Sequence, residues 1–474
     1  MELLDNLIVN VNDFLWTYIL IAMLIVIGLY FTFKTKFVQF TNIKEMFRLL
    51  GDSGGKDKHS ISSFQAFCIS TASRVGTGNL AGIATALAIG GPGAIFWMWL
   101  IALIGAASSF IESTLAQIYK VKDNGSFRGG PAYYMEKGLK KRWMGTLFSV
   151  LIIIAFGLVF NSVQSNTIAH AFNESFGLNT TLVGVIITAL TLFVIFGGVH
   201  RVAKVSSVLV PIMAIAYILV ALFVVFKNFN EIPGVIKLIF QNAFGFEQAL
   251  GGTLGAALMQ GIKRGLFSNE AGMGSAPNAA ATATVSHPVK QGFIQTLGVF
   301  TDTIIICSCT AFIIILSGAP LDGSVKGIAL TQQALSSQVG SWGGIFISIC
   351  ILFFAFSSII GNYYYGETNI QFITKNAIYL YIYRFAVGGM VLFGSIASMD
   401  IVWNLADVFM ALMAIINLIA IVLLSNIAFK ALKDYNKQKK AGIKDPIFYA
   451  SSIPELGPEV EEWQDDDINS SNAS

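Results

Sequence analysis

The sequence predicts an all-α polytopic membrane protein, on the evidence of its composition, its apolar segments and its charge distribution. The chain of 474 residues is 55% hydrophobic and only 12% charged, with a mean hydropathy of +0.69, whereas a soluble domain carries about 25% charged residues. Many separate apolar stretches reach the roughly 20 residues that a helix needs to cross a bilayer. The connections between them are too short for a nucleotide-binding domain and contain no P-loop, so ATP-driven transport by this chain alone is not expected.

Eleven segments are predicted to span the membrane, with boundaries that are soft by several residues. They are 14–33, 61–90, 93–119, 145–171, 181–199, 205–226, 249–283, 291–316, 341–373, 378–397 and 402–425. When alternate connections are assigned to opposite sides, 23 Lys and Arg residues fall on one side and three on the other. The positive-inside rule makes the basic side cytoplasmic, which predicts an outside N-terminus and a cytoplasmic C-terminus. Lysine- and isoleucine-rich usage favours a bacterial cell (inner) membrane.

Two of the predicted spans, 61–90 and 249–283, are interrupted by polar and glycine residues. The interruptions lie at 73–79 and 263–275, and a shift of 196 residues superimposes them with glycine on glycine at two positions. Five spans separate the two segments, so the two halves of the chain are predicted to face opposite ways. Corresponding glycine-interrupted helices in two inverted halves are typical of the binding site of a secondary transporter.

Unwound helices at membrane depth have a chemical consequence. An unwound segment frees backbone N–H and C=O groups, which is tolerated only where the segment lines a cavity or is buried in protein. Freed N–H groups and the positive ends of half-helices suit a carboxylate, and freed carbonyl oxygens suit Na⁺. An amino acid and a sodium ion are therefore the natural pair of ligands. The alternative, a packing kink, would not require two such breaks in register.

The repeat also predicts how the chain is organised. The tail after Pro446 is acidic and rich in Ser and Asn at its end, so it is expected to be disordered. The predicted units are an extra transmembrane helix with an interfacial amphipathic helix at 1–60, a first inverted repeat at 61–226, a second at 249–425 and a cytoplasmic tail at 426–474.

Three strings of residues carry a family resemblance. They are Thr77-Gly78-Asn79-Leu80-Ala81-Gly82, the run from Gly265-Leu266-Phe267-Ser268-Asn269-Glu270 to Pro277, and Tyr364-Tyr365-Gly366-Glu367. Over about residues 14–430 the chain resembles the alanine/glycine:cation symporter family (sodium:alanine symporters). The resemblance implies a leucine-transporter-like (LeuT-like) fold, a five-plus-five inverted repeat after one extra helix. It also implies uptake of small neutral amino acids driven by Na⁺, or sometimes H⁺. No enzymatic activity, no cofactor and no nucleic-acid partner are expected. The oligomeric state is open, and function as a monomer is expected.

The resemblance implies which residues hold the substrate. Thr77 and Gly78 would bind its carboxylate, with Asn79 binding the same region or orienting the backbone. Phe160 and Gln164 are four residues apart and share a helix face, so Gln164 would contact the substrate and Phe160 would cap it. The alternatives are a core- or lipid-facing aromatic for Phe160 and an interhelical hydrogen bond for Gln164. The remaining substrate positions are Asn166, Phe267, Ser268, Ala271, Ile359 and Asn362.

The coupling ion is expected near the middle of the long span 341–373. Ser357 and Ser358 supply hydroxyl oxygens there, which are ligands that hard cations prefer. By analogy with the fold, the backbone carbonyls of Ala72, Val75 and Phe354 complete a sodium site. The alternative is that the two serines hydrogen-bond only to their own helix.

Ionisable residues inside the spans are costly unless paired. Glu270 falls opposite Arg74 when the two halves are superimposed, so the two are predicted to form a structural ion pair, or else to pair with other charges nearby. Other charges within the spans either carry protons or, more often, are paired structural residues. They are Glu112, Asp302, Glu367 and Asp407.

One position departs from the family pattern. Alanine-type members are expected to carry Trp directly after the Gly of Gly-Trp-x-Tyr-Tyr-Gly-Glu, and this chain has Asn362 there. Because Asn is smaller than Trp and brings an amide donor and acceptor, the pocket would accept a longer, polar side chain. The substrate is therefore expected to be glutamine or asparagine in preference to alanine or glycine.

Two other classes of function remain to be weighed. An ion channel would use polar breaks as a filter, but channels usually assemble symmetric rings of short subunits, which an inverted repeat in one long chain argues against. An intramembrane enzyme would need a nucleophile–base pair or a metal cluster, and the four His residues are scattered towards the ends of the spans.

Overall fold

The computed structural model describes residues 2–51, 61–123, 126–245 and 254–464. The chain is helical, as predicted. In its first part the helices are Glu2–Phe14, Leu15–Leu20, Ile21–Lys34, Val38–Thr41, Ile43–Leu50, Ser63–Arg74, Gly78–Gly82, Ile83–Gly90, Gly93–Ile118, Pro131–Lys137, Arg142–Ile152, Ile153–Phe160, Asn161–Phe176, Thr180–Ile195 and Gly198–Lys227. Val121–Asp123 and Ser126–Arg128, the strands of the described residues, form an antiparallel pair.

The second part repeats this helical character. Its helices are Phe229–Glu231, Ile232–Ala243, Leu254–Asn269, Ala276–Ala280, Val289–Val299, Phe300–Cys307, Ser308–Leu316, Ile328–Val339, Trp342–Ile373, Ala377–Ile396, Met399–Lys440 and Ala450–Ser452. Within the described ranges, eight continuous helices are long and apolar enough to cross a membrane, and two apolar helices are shorter. A helix or an interrupted helix lies at each of the eleven predicted positions, although the number of spans itself stays a prediction.

Small residues let the two halves pack closely. In the helix Leu254–Asn269, Gly261 and Gly265 are four residues apart and face the helix Gly93–Ile118. A Cβ atom at Gly261 would lie 2.3 Å from the carbonyl oxygen of Ala94, so only glycine allows this approach. Close backbone contact at small residues is the usual way in which helices associate in a membrane, and it places the second interrupted helix beside the first half of the chain.

The predicted interfacial helix is present as two short segments, Val38–Thr41 and Ile43–Leu50. Met46 and Leu49 are buried against the protein, and Phe47 is 62% exposed. One face therefore packs on the protein while the other offers aromatic side chains to the surroundings.

The prediction for the tail was wrong over residues 447–464. The last helix continues to Lys440, and the chain beyond it packs on the basic side of the protein. Phe448 and Trp463 are buried, and Trp463 Nε1 donates to the carbonyl of Gln117 at 2.9 Å. These apolar anchors supply the buried surface that a disordered segment lacks. Residues 465–474, to which the prediction also applied, lie outside the described residues.

Candidate functional site

The first interrupted helix ends at Arg74 and resumes at Gly78. In a continuous helix the N–H of Gly76 would bond to the carbonyl of Ala72, but it donates instead to Oδ1 of Asn79 at 2.8 Å. The Asn79 side chain thus replaces the Ala72 carbonyl as the acceptor for this N–H. The carbonyl oxygen of Ala72 is left without its helical hydrogen bond.

A second backbone donor of this break is redirected in the same way. The N–H of Thr77 donates to Oε1 of Gln164 at 2.9 Å. Gln164 thus makes the interhelical hydrogen bond that was the alternative to a substrate contact, and its contact with the substrate stays a prediction. The hydroxyl of Thr77 is buried and has no hydrogen-bond partner among the described residues. A Cβ atom at Gly76 would lie 2.3 Å from Oγ of Ser358, which explains why a side chain is absent at the centre of the break.

The five predicted cation ligands lie together beside this break. The hydroxyl of Ser358 donates to the carbonyl oxygen of Ala72 at 2.8 Å, and lies 3.0 Å from that of Phe354 and 3.4 Å from that of Val75. The hydroxyl of Ser357 lies 2.8 Å from the same Phe354 oxygen. All five predicted ligand atoms are neutral oxygens, the type of ligand that suits a hard cation such as Na⁺.

A buried carboxylate lies on the other side of the first break. Asp302 Oδ1 accepts a hydrogen bond from Nδ2 of Asn79 at 2.6 Å, and its Oδ2 accepts from the hydroxyls of Ser268 and Thr303, each at 2.8 Å. The carboxylate therefore ties the first break to the second interrupted helix. It fixes the Asn79 side chain that in turn holds Gly76.

The second break is held open by a different carboxylate. Glu270, Gly272 and Gly274 adopt the left-handed conformation, with φ of 58°, 82° and 87°, which favours glycine at the latter two positions. The N–H groups of Gly272 and Gly274 donate to the two oxygens of Glu112 at 3.0 and 3.1 Å, and Nδ2 of Asn417 donates to Glu112 at 2.8 Å. Glu112 thus occupies this break and satisfies its freed donors.

A polar cluster connects the two breaks with the helix Trp342–Ile373. The hydroxyl of Ser73 lies 2.6 Å from Oε1 of Glu270 and 2.7 Å from Oδ1 of Asn362. Nδ2 of Asn362 is buried and has no partner among the described residues. Ile359, one turn earlier on the same helix, is fully buried. An unpartnered amide donor at this depth is expensive, so it marks a position where a ligand would be stabilised.

An aromatic layer covers the first break on one side. The rings of Phe160 and Phe267 lie 4.7 Å apart, and Phe267 lies 4.7 Å from Trp403. The guanidinium of Arg264 lies 4.5 Å above the Trp403 ring and donates two hydrogen bonds to Asp407, at 3.1 and 2.7 Å. The layer therefore continues from an aromatic stack into a buried ion pair.

A cavity of about 210 Å³ lies beyond this layer and is lined by Trp403 and by the Arg264–Asp407 pair. Lys263 lies 3.4 Å from Asp407 on the same wall. The layer lies between this cavity and the polar atoms of the first break.

Two predicted substrate residues pack against other helices. Nδ2 of Asn166 donates to the carbonyls of Gly394 and Ala397, both at 2.8 Å, so it joins two helices. Asn166 is two residues from Gln164, and residues at that spacing do not share a helix face. Ala271 packs in a small cluster with Ala102, among others, because the left-handed turn at Glu270 changes its direction.

The predicted direct ion pair between Arg74 and Glu270 is not formed. Arg74 donates to the carbonyl of Gln295 at 3.2 Å and to the hydroxyl of Ser109 at 3.4 Å. The two oxygens of Glu270 accept from serine hydroxyls instead, one of them that of Ser73. Superposition of the two halves aligned the two charged positions but could not place their side chains in contact.

Several residues of the site carried no specific prediction of their role. Glu112, Asp302 and Asp407 were predicted only as proton carriers or as paired structural residues, and the partners of these carboxylates were not predicted. The sequence signal available was the presence of ionisable and amide groups at membrane depth, which by default mark functional positions. Asp302 accepts from Asn79, Ser268 and Thr303, Glu112 accepts from Gly272, Gly274 and Asn417, and Asp407 pairs with Lys263 and Arg264.

Comparisons with known proteins agree with this geometry. The sodium:alanine symporter family matches residues 1–450. The chain is 61% identical to the probable sodium/glutamine symporter GlnT of Bacillus subtilis (strain 168), over 94% of both chains. It is 56% identical to the amino-acid carrier protein AlsT of the same organism, over 98% of this chain and 99% of that one. The crystal structure of MhsT in complex with L-phenylalanine superimposes with a TM-score of 0.51 at 14% identity, over 81% of this chain and 99% of that one, which shows the predicted leucine-transporter-like fold.

Proposed function

Because the chain belongs to the sodium:alanine symporter family, whose members are transporters of amino acids and not enzymes, we propose that it takes up glutamine together with Na⁺. Transport would proceed by alternating access, with the two breaks as the walls of one site. One observation carries the proposal: the two breaks and Asn362 meet inside the protein, where buried polar atoms of Thr77 and Asn362 have no hydrogen-bond partner among the described residues. The relative named as a probable sodium/glutamine symporter supports the choice of substrate.

We assign the substrate carboxylate to the first break. The helix that resumes at Gly78 directs its N-terminal end, and hence its positive partial charge, at the break. The hydroxyl of Thr77 is buried there and free to donate. Gln164 holds the unwound backbone in place by accepting from Thr77, and so acts on the substrate through that backbone.

We assign Na⁺ to the five oxygens around Ser358. A sodium ion there would bind the carbonyls of Ala72, Val75 and Phe354 and the hydroxyls of Ser357 and Ser358. The serine hydroxyls would turn their protons away from these carbonyls when the ion binds, since a hydroxyl both donates and accepts. The site joins the first break to the helix Trp342–Ile373, so ion binding would favour one arrangement of these two elements over another.

The preference for glutamine rests on Asn362. Its Oδ1 lies 2.7 Å from the hydroxyl of Ser73, whose single proton can be donated either to Oδ1 or to Glu270. With Oδ1 on the side of Ser73, Nδ2 is available to donate to the carbonyl of a carboxamide side chain. A site that hydrogen-bonds a polar group discriminates strongly against an analogue that lacks it. Asparagine would satisfy the same donor with a shorter side chain.

Uptake of alanine is the second candidate function, because the family as a whole is named for sodium:alanine symport. In that case the unpartnered amide of Asn362 would be satisfied by water and not by the substrate. Coupling to H⁺ in place of Na⁺ is a further alternative, and the buried carboxylate of Asp302 beside the first break is the group that would favour it.

The positions of the 30 Lys and Arg residues support an orientation. We propose that the N-terminus lies outside and the C-terminus in the cytoplasm of a bacterial cell. The Arg264–Asp407 pair and the cavity above it then face outward. The packed tail at 447–464 then lies on the cytoplasmic side.

Competition measures the proposed preference directly. Uptake of labelled glutamine into cells that produce the chain is measured with a panel of unlabelled neutral amino acids, in Na⁺ buffer and in choline buffer. We expect glutamine and asparagine to compete best, and uptake to be lost in choline. If alanine competes more strongly than unlabelled glutamine, the assignment of substrate fails while that of symport stands.

A further inference from the structure

A large cavity among the described residues lies away from the transport site, where the extra N-terminal helix and the last helix leave the apolar region. It has a volume of about 840 Å³. We call it the lysine groove, and it is lined by Lys34, Thr35, Lys36, Phe429, Leu432, Lys433, Asn436, Lys437, Lys439 and Lys440.

The groove carries a concentrated positive charge. Lys433, Lys437 and Lys440 recur at intervals of four and three residues and therefore share one face of the last helix. Lys34 and Lys36 face them from the end of the extra helix. Among the residues that the structure describes, none of these five lysines forms an ion pair with a carboxylate, and all five are exposed.

A carboxylate near the groove, Glu45, is already paired with other residues. Glu45 accepts from Arg48 and from Tyr435, and lies 3.3 Å from Lys439. The hydrogen bond from Arg48 lowers the pKa of Glu45 to about 2, so it stays ionised. Its charge is balanced by Arg48 and Lys439, so it does not compensate the five lysines that face the groove.

The backbone holds one lysine at the groove at a conformational cost. Lys36 and Phe37 both have positive φ, 56° and 59°. The N–H of Phe37 donates a hydrogen bond to the carbonyl of Thr32 at 2.8 Å. Glycine is the usual residue at such a helix end, because a side chain is disfavoured there. A lysine kept in a strained conformation at a cavity is typical of a ligand-binding position.

The floor and the approach of the groove are apolar. Phe429 lies at its base, 6.2 and 6.3 Å from the rings of Tyr30 and Phe31. Phe33 and Phe37, next to Lys34 and Lys36 in the chain, have 64% and 44% of their surface exposed. Positive charge and exposed aromatic side chains therefore occur together, where the extra helix ends and the last helix becomes polar.

We propose that the lysine groove binds an anionic phospholipid, with the lysines on the headgroup phosphate and the acyl chains along Phe429 and Phe33. Basic pockets between helices at a membrane surface bind phosphorylated lipid headgroups in this way. The apolar floor favours a lipid over free phosphate, which would gain nothing from the aromatic rings. The proposal does not depend on the substrate or on the coupling ion.

Thermal unfolding of the lipid-stripped full chain in detergent tests the proposal. The probes are short-chain phosphatidylglycerol, short-chain phosphatidylcholine and inorganic phosphate, each titrated while the Tm is followed. We expect phosphatidylglycerol to raise the Tm at a concentration at least about tenfold lower than phosphatidylcholine, and phosphate alone to have no comparable effect.

Matched variants locate the effect. The triple variant K36Q/K433Q/K437Q should need at least about tenfold more phosphatidylglycerol for the same shift, whereas K141Q/K204Q/K375Q, which removes the same charge outside the groove, should resemble the native chain. K36G relieves the positive-φ strain, so it should fold at least as well and still bind the lipid more weakly. Equal shifts with phosphatidylcholine, an equal shift with phosphate, or an unchanged K36Q/K433Q/K437Q variant would each overturn the proposal.

Discussion

The hydroxyl of Ser358 donates to the carbonyl oxygen of Ala72 at 2.8 Å, although 286 residues separate the two in the chain. The contact joins the unwound part of the first half to the middle of a helix in the second half. It exists because the N–H of Gly76 bonds to Asn79 and releases the Ala72 carbonyl. A side chain at the break thus creates the oxygen site that we assign to Na⁺.

Removal of the Ser358 hydroxyl should weaken the sodium dependence of transport. We expect S358A to raise the Na⁺ concentration for half-maximal glutamine uptake at least about tenfold, which corresponds to about 1.4 kcal/mol, and S358T to restore it in part. S425A is a matched control, because Ser425 also donates to a carbonyl of its own helix but lies far along the last helix. If S358A and S425A have the same sodium dependence, Ser358 is not a ligand.

Substitution of Asn362 should change the preferred substrate. We expect N362W to fill the pocket and to shift the ratio of glutamine to alanine uptake at least about tenfold towards alanine. N362A leaves the space but removes the amide, so it should weaken glutamine uptake and leave alanine uptake nearly unchanged. The ratio of kcat/KM for the two substrates measures both effects. An unchanged ratio in N362W would remove Asn362 from the specificity site.

Loss of the buried partner of Arg264 should destabilise the protein. Asp407 and Arg264 have side chains that are 2% and 6% exposed, and breaking a buried pair costs about 3–5 kcal/mol because a charge is left uncompensated. D407N should therefore lower the Tm markedly. D400N breaks the Lys326–Asp400 pair, in which Asp400 is 74% exposed, and should cost less than about 1 kcal/mol. Equal Tm values for the two variants would contradict the assigned role.

Conversion of Glu112 to an amide should loosen the second break. Its two oxygens accept from Gly272 and Gly274, and glutamine would direct an NH₂ group at one of these donors. We expect E112Q to lose about 1–3 kcal/mol of stability together with most transport activity. E367Q is the control, since the contact of Glu367 with Gln371 at 3.5 Å is long. Native-like uptake by E112Q would show that the break does not need this carboxylate.

The sequence predicted the interruptions of both helices, because glycine and polar residues at membrane depth leave a strong local signal. The family resemblance grouped the five oxygen atoms that we assign to Na⁺, and their role as ligands stays a prediction. It did not predict the direction of individual side chains. Asn166 was included with Gln164 although the two lie on different faces of one helix, and Ala271 follows a left-handed residue that no periodicity reveals. The packing of Trp463 also left no signal, since isolated apolar anchors in a polar tail have no period.

Accumulation of glutamine under an imposed Na⁺ gradient tests the central proposal most directly. The purified full chain is reconstituted in proteoliposomes that are loaded with choline buffer and diluted into Na⁺ buffer or choline buffer containing labelled glutamine. Glutamine should accumulate above its external concentration only with the inward Na⁺ gradient, and the gain should disappear when an ionophore dissipates that gradient. Equal accumulation in choline buffer, or accumulation driven only by a proton gradient, would contradict sodium-coupled symport.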